Sequence, residues 1–313
     1  MSEEAELMLE AVRAGELLPD GRPVVALLSG GRDSVCLLDL AVRALGAGDV
    51  TALHVNYGLR AEASADEEHC RRLCARLGVE LAVERPSRPD GSGNLQAWAR
   101  DERYAAAARL AQGAGALIAT GHTADDQVET ILYRLASSPG RRALLGMKAR
   151  DGSLVRPLLG FARAQTTAYC EERGLEWRDD SSNDEAGYAR NRVRHGLGRA
   201  LAEVHPAAAR NVLRTAELLR DEAQVLDALV DAELSGGDGG PRTIPLDRLA
   251  ELPSPLRRLV VQRLADEAAG RPVPGAANHA DEVAGLRRTG TARLDLGRGV
   301  RAVAERGILH AER

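Results

Sequence analysis

Between residues 24 and 174, short apolar runs alternate with longer segments whose apolar residues recur at helical spacing. VVALL (24–28), TALHV (51–55), VELAV (79–83) and ALIAT (116–120) are five-residue, mostly apolar runs that predict strands. DSVCLLDLAVRAL follows the first, and periodic segments over 63–77, 94–112 and 123–135 predict further helices. Strand–helix alternation predicts right-handed βαβ units and a parallel sheet, an α/β fold of the Rossmann-like type. In such sheets ligands bind beyond the carboxyl ends of the strands, so 29–34, 54–56 and 121–129 should share one rim. From 200 to 232 the pattern is a long helix with acidic and apolar residues interleaved, and SGGDGGP (235–241) reads as a linker. The remainder begins helically (LRRLVVQRLADEAAG) and ends in strand-like pieces, TARLDLG and VRAVAER. The expected organisation is a larger domain over 1–199, then a linking helix and small C-terminal domain over 200–313.

Composition narrows the class. The chain has 313 residues, 44% hydrophobic and 28% charged, a balance that supports a sizeable core and argues against wholesale disorder. Aromatics are only 3%, so that core must be Leu, Val and Ala. No segment reaches the ~18 consecutive apolar residues of a membrane span. The acidic start, MSEEAELMLE, does not read as a secretory signal, so a cytoplasmic location without membrane partners is expected. A net charge of −4 announces no nucleic-acid partner globally. Cys36, Cys70, Cys74 and Cys170 form no CxxC pair and read as core or surface thiols, not as metal ligands or a disulfide framework. Lys148 is the only lysine, hence the only candidate for catalysis by a protein amine.

The chemistry concentrates on the rim. Ser29-Gly30-Gly31-Arg32-Asp33-Ser34 lies between a predicted strand and a predicted helix. Glycines permit a tight turn that presents N–H groups to an anion, and the helix N-terminus adds partial positive charge. Ser29 and Ser34 add hydroxyl donors. By itself SGG is only a serine-capped turn, and this is neither a Walker loop nor a dinucleotide loop. In GHTADDQVET, Asp125, Asp126 and Glu129 crowd a helix start beside His122. Single acids there commonly complement the helix dipole, but Asp126 and Glu129 at i,i+3 can point to one side as a carboxylate pair. Arg190, Asn191, Arg192 and Arg194 begin a local basic excess, continued by Arg199, Arg210 and Arg214, which suits phosphate. A solvated basic face is the plain alternative.

The full SGGRDS string resembles the pyrophosphate loop (PP-loop) of adenylating enzymes that split ATP between its α and β phosphates. HVNYGLR (54–60), NLQAWARDERY (94–104), GHTADDQVETIL (121–132), VRPLL (155–159) and DSSNDEAGYARNRVRH (180–195) follow in order. Together they resemble the tRNA(Ile)-lysidine synthetase family over residues 20–215. The resemblance implies an adenine-nucleotide α-hydrolase-like catalytic domain and a C-terminal domain that contacts tRNA. It also implies a reaction in which the wobble cytidine of a CAU-anticodon isoleucine tRNA is adenylated on its C2 oxygen, then attacked by free L-lysine to give lysidine, AMP and pyrophosphate. ATP and Mg²⁺ are the implied co-substrate and cofactor. In these terms Ser29, Gly30, Gly31, Arg32, Asp33, Ser34, His54 and Asn56 are expected around ATP, with Asp33 toward Mg²⁺. Asp125, Asp126, Glu129 and His122 are expected around lysine, with Asp33, Asp126 and Glu129 catalytic, and Arg100, Arg190, Asn191 and Arg194 on tRNA phosphates. A homodimer is allowed for, although no feature fixes the oligomeric state.

Three departures stand out. Tyr57 replaces a usual His, residues 136–142 read ASSPGRR where Arg-Gly-Ser-Gly is common, and Gln165 replaces a frequent glutamate, which would remove an ion pair. A tRNA thiolase is the alternative enzyme, but it would need suitably spaced cysteines; a glutamine-dependent relative would need an amidase domain. A nucleotide-binding module without catalysis would not need the acidic string.

Overall fold

A computed structural model describes residues 3–59, 61–88, 93–137, 140–178, 192–235 and 242–313, apart from the side chains of Glu3 and Arg142. The chain divides into two compact units, Met1–Glu217 and Leu218–Arg313.

In the first unit, β1 (Val24–Leu27), β2 (Val50–Val55), β3 (Glu80–Glu84), β4 (Leu117–Ala119), β5 (Arg150–Asp151) and β6 (Leu154–Val155) form a sheet of order β3-β2-β1-β4-β6-β5. All neighbours run parallel except the β5–β6 hairpin. The apolar run of β1 is explained by its place: it pairs on both edges, Val24 with Val50 and Val24 with Leu117, and is buried throughout. The strand order reverses between β1 and β4, and the turns after those two strands therefore open onto one crevice. The helices are α1 (Glu3–Ala14), α2 (Arg32–Leu45), α3 (Ala63–Leu77), α4 (Leu95–Ala114), α5 (Ala124–Ser137), α6 (Arg141–Leu144) and α7 (Arg163–Glu172). α2 is buried continuously from Val35 to Ala41, and that stretch is apolar apart from Asp39.

Helices α1 and α7 and the β5–β6 hairpin are additions to the predicted elements. α1 buries Ala5, Met8, Leu9 and Val12, the i, i+3, i+4, i+7 stripe, while Leu7, off the stripe, is exposed. α7 has no such stripe and is held by polar contacts. Tyr169 donates to buried Asp39 of α2 at 2.5 Å, and Arg173 donates to both oxygens of the same carboxylate at 3.1 and 3.3 Å. Arg43 extends the network by pairing with Glu6 and donating to the Ala5 carbonyl. A buried carboxylate tolerates its position only when satisfied in this way. After the sheet, a short π-helical turn (Val193–Leu197) leads into α8 (Gly198–Val204) and α9 (Ala208–Ser235).

The unit boundary falls at 217/218, whereas the sequence pattern suggested 199/200. The intervening residues pack Leu201, Val212 and Leu213 against Val128, Leu132 and Val193, so α8 and the start of α9 belong to the first core. In the second unit, β7 (Ile244–Pro245), β8 (Thr291–Gly297), β9 (Val300–Glu305) and β10 (Ile308–Glu312) form an antiparallel sheet of order β7-β10-β9-β8. Helices α10 (Leu246–Glu251), α11 (Ser254–Ala269) and α12 (Ala280–Ala284) contribute Leu249, Val260, Leu264 and Val283 to the same aliphatic core. Among the described residues no helix is long and apolar enough to cross a membrane.

Candidate active site

The first wall of the crevice is the turn between β1 and α2. Gly30 holds φ +88°, a left-handed conformation that favours glycine. Ser29 and Ser34 lock the turn internally: the Ser29 N–H donates to Ser34 Oγ at 3.2 Å, the Gly31 N–H donates to Ser29 Oγ at 3.3 Å, and Ser34 Oγ donates to the Gly31 carbonyl at 2.7 Å. Arg32 and Asp33 open the fourteen-residue helix α2, so their N–H groups lack intrahelical acceptors and carry the positive end of its dipole. From behind, the Arg178 N–H donates to the Gly30 carbonyl at 3.0 Å and its Nε donates to Asp66 of α3 at 2.6 Å.

The second wall is the turn between β4 and α5, and it touches the first. A Cβ on Gly121 would lie 2.8 Å from the Asp33 carbonyl oxygen and 3.1 Å from the Ser34 nitrogen, so glycine alone permits this approach. Asp126 serves as a cap for α5, its Oδ2 accepting from the Thr123 N–H at 2.8 Å and the Thr123 hydroxyl at 3.1 Å. Asp125 caps the neighbouring helix: its Oδ2 accepts from the Arg163 N–H at the start of α7, at 2.7 Å.

Arg163, which belongs to none of the sequence motifs, stands at the centre of these acids. Its guanidinium donates to Asp126 Oδ1 at 3.0 Å, and approaches Glu129 Oε1 at 3.6 Å and Asp33 Oδ2 at 3.6 Å. Burial acts against this cation, but Asp126, Glu129, Asp33 and Asp125 outweigh it and raise its pKa. Asp33 is held further by the Thr166 hydroxyl, which donates to Oδ1 at 2.6 Å. Arg194 reaches Glu129 from the far side, Nε to Oε1 at 3.8 Å. The acids singled out from sequence are thus brought together, but around a guanidinium. Among the described residues no three His, Cys, Asp or Glu side chains form a metal-ligating group.

The other candidates are placed as follows. His54 is buried beneath the first turn, with Nδ1 2.9 Å from the Leu28 carbonyl oxygen. Asn56 donates to Glu67 at 2.8 Å and accepts from the Gly58 N–H at 2.9 Å. His122 lies half-buried, Nδ1 2.8 Å from Thr120 Oγ1. Arg100 stands over the Tyr104 ring, 5.1 Å from its centroid. Near it is buried Arg156 of the VRPLL string; burial lowers its pKa, and Arg100 and Arg134 act in the same direction against Tyr104 and Asp151. Arg190 and Asn191 lie outside the described residues. Tyr57 donates to the Ala99 carbonyl at 2.6 Å and packs edge-on against Trp98, tying the β2–α3 loop to α4. Gln165 accepts from the Ala162 N–H at 3.0 Å, a helix-capping contact an amide makes as well as a carboxylate, and donates to Glu4. All four cysteines are buried; burial pushes the Cys70 thiol up to about 12 and Cys74 to about 11, which leaves neither nucleophilic near neutrality.

Glu67 supports the Asn56 loop and gives a pH-dependent signature. It accepts from Asn56 and pairs with Arg85 and Arg71, and these contacts, the Asn56 hydrogen bond first, hold its carboxyl at about 2 against an ordinary 4.5. A carboxyl lowered on folding stabilises above its unfolded value and loses that stabilisation as pH falls through its folded one. The stability difference between the native chain and Glu67→Gln should therefore be full at pH 7 and shrink from about pH 4.5 to about pH 2. Denaturant titrations across that range check it; a pH-independent difference would remove the ion pairs from the account.

A nest of backbone donors facing an acid–guanidinium cluster, both at the strand-order reversal, is where known relatives can be compared. Residues 4–201 match the PP-loop domain family. This chain belongs to that family. The PP-loop chain is 39% identical to the tRNA(Ile)-lysidine synthase of Pseudomonas fluorescens, over 66% of its own length and 48% of the relative's. It is 37% identical to that of an Azoarcus strain (92% and 65%) and 38% to that of Thermus thermophilus (80% and 50%). It therefore spans about half to two thirds of these curated relatives. Among solved structures, the U34-tRNA thiolase of Methanococcus maripaludis superposes with a TM-score of 0.57 at 17% identity, covering 69% of this chain and 79% of that one, which shows a shared fold.

Proposed function

We propose that this PP-loop protein is a cytoplasmic ligase that joins free lysine to C2 of the wobble cytidine in a CAU-anticodon isoleucine tRNA, through an adenylated cytidine. The observation that carries the reading is the sharing of one crevice by the phosphate-type turn and the acids of the β4–α5 turn, in contact at Gly121. The names of the similar relatives support the substrate.

In this reading the N–H groups of Gly30, Arg32 and Asp33 bind the phosphates of ATP, and the cytidine C2 oxygen attacks the α-phosphorus with release of pyrophosphate. Asp33 is the carboxylate that fits Mg²⁺, which characteristically takes one or two carboxylates and completes its shell with phosphate oxygens. When bound, such an ion would offset charge on the leaving pyrophosphate. The neutral ε-amine of lysine then forms the C2–N bond, the C2–O bond to AMP breaks, and the amine's proton passes to a carboxylate. Glu129 suits that role best. Asp126 is committed to Thr123 and Arg163, and the Glu129 carboxylate is approached by Arg163 and Arg194 at 3.6 and 3.8 Å. Arg163 holds both acids in register and must share them with an incoming ammonium. Arg100, Arg194 and the C-terminal unit are assigned to tRNA phosphates, so tRNA binding should weaken steeply as salt rises.

Incubation with ATP, Mg²⁺, labelled lysine and the CAU-anticodon tRNA should give lysine incorporation with stoichiometric AMP and pyrophosphate. Sulfur transfer in place of lysine incorporation would overturn the assignment; the burial of all four cysteines argues against it. Asp126→Asn keeps an oxygen for the helix cap and loses the charge that pairs with Arg163. Lysine transfer should fall at least about tenfold, while the melting temperature moves by only a few degrees. Undiminished transfer would remove Asp126 from the mechanism.

A further inference from the structure

Behind the phosphate-type turn, away from the acids, lies a second cavity of ≈ 190 Å³ lined by His69, Arg72, Leu73, Arg76 and Glu176. Residues 69, 72, 73 and 76 form one stripe of α3, spaced i, i+3, i+4, i+7, and Glu176 comes from the segment after α7. His69 is buried, with 6% exposure, yet among the described residues its Nε2 has no hydrogen-bond partner. Such an atom loses hydration and gains nothing in return, a cost of about 1–3 kcal/mol that calls for an explanation. The arginines beside it are loosely engaged. Arg72 has an exposed pairing with Glu68 at 3.5 Å, and Arg76 donates to the Gly174 carbonyl at 3.3 Å.

We propose that this cavity is a second phosphate-binding site, in which Arg72 and Arg76 donate to one phosphate group and the His69 ring turns its enclosed Nε2–H toward it. Two guanidiniums and an imidazole N–H supply the donor geometry that phosphate oxygens accept; of the nearby carboxylates, Glu176 lines the cavity and is exposed, and Asp66 is held by Arg178. Burial, then Arg72 and Arg178, lower the pKa of His69, while Glu176 and Asp66 oppose them. The ring is therefore neutral at pH 7, and a bound anion should draw a proton onto it. The site also adjoins the phosphate-type turn: His69 Cδ2 lies 3.5 Å from where a Gly30 Cβ would be, and Arg178 holds the Gly30 carbonyl. Occupancy thus bears on the backbone that faces ATP. The phosphate could belong to a nucleic-acid backbone or be free; the chemistry is the same. The proposal does not depend on the identity of the tRNA or on lysine transfer.

The test is NMR of the full chain with ¹⁵N-labelled histidine, titrated with inorganic phosphate. The His69 Nε2 resonance should shift saturably, and its titration midpoint should rise by about one pH unit at saturation. In Arg72→Gln/Arg76→Gln the apparent affinity should fall at least about tenfold, while ATP binding measured by calorimetry is unchanged. That double variant separates this cavity from the phosphate-type turn, because neither arginine belongs to the turn. Loss of the phosphate effect in saturating tRNA assigns the site to a nucleic-acid phosphodiester; persistence assigns it to free phosphate. A His69 resonance indifferent to phosphate, or equally responsive in the double variant, overturns the proposal.

Discussion

Arg163→Ala should abolish lysine transfer, to below about one per cent of the native rate, and lower stability by about 3 kcal/mol, the low end for removing one partner of a buried charge cluster. The guanidinium is 18% exposed and is approached by Asp33, Asp126 and Glu129, with its own backbone N–H held by Asp125. Without it three carboxylates from two turns face one another with Coulomb repulsion poorly screened by solvent. They must separate, take up protons or admit a cation, and each outcome disrupts the geometry that presents Glu129. A stability loss of that size lowers the melting temperature of a domain this large by roughly 10 °C, readable by calorimetry. Arg163→Lys restores the charge without the fork that spans three acids, so it should recover most of the stability and little of the rate. An Arg163→Ala protein with native transfer would show that the guanidinium only fills space.

Gly121→Ala is expected to act on the other turn. The added methyl would meet the Asp33 carbonyl oxygen at 2.8 Å and its carbon at 2.9 Å, both backbone atoms that cannot rotate away. Overpacking of this kind costs about 1–3 kcal/mol when the structure shifts to accommodate it. The shift would separate the phosphate-type turn from the acids by a few tenths of an ångström to one ångström. Misplacement on that scale is enough to cost about 10²-fold in rate. Pyrophosphate release should therefore fall by about that factor, with circular dichroism unchanged. Gly93→Ala, where a Cβ meets nothing within 4 Å, is the matched control. Equal rates for the two variants would mean that the contact between the turns is not used.

Legibility in the sequence followed the range of the interactions. β1 and the SGGRDS turn were readable because a central parallel strand must be apolar on both faces and a tight anion-facing turn needs glycine, and both requirements are local. The same holds for GHTADDQVET at a helix start, and for the antiparallel pieces near the C-terminus. α1 is readable in principle from its Ala5, Met8, Leu9, Val12 stripe, although four interspersed glutamates mask the pattern. α7 was not, because Asp39, Tyr169 and Arg173 hold it through polar contacts more than 120 residues apart in sequence.

For the site itself, sequence alone determined which residue types gather at the carboxyl ends of β1 and β4, since spacing and local turn chemistry suffice for that. It could not determine what the acids face. Arg163 sits in an unremarkable FARAQ segment, and only the folding of the β6–α7 connection beside α5 brings it into the cluster. Tertiary structure likewise decided that His54 packs under the first turn, that Asp125 and Asp126 cap different helices, and that Gly121 is required by contact instead of by φ. The physical reason is common to these cases: a local pattern sets the conformation of a turn, whereas the charge and packing around it come from whichever distant segments the sheet order places alongside.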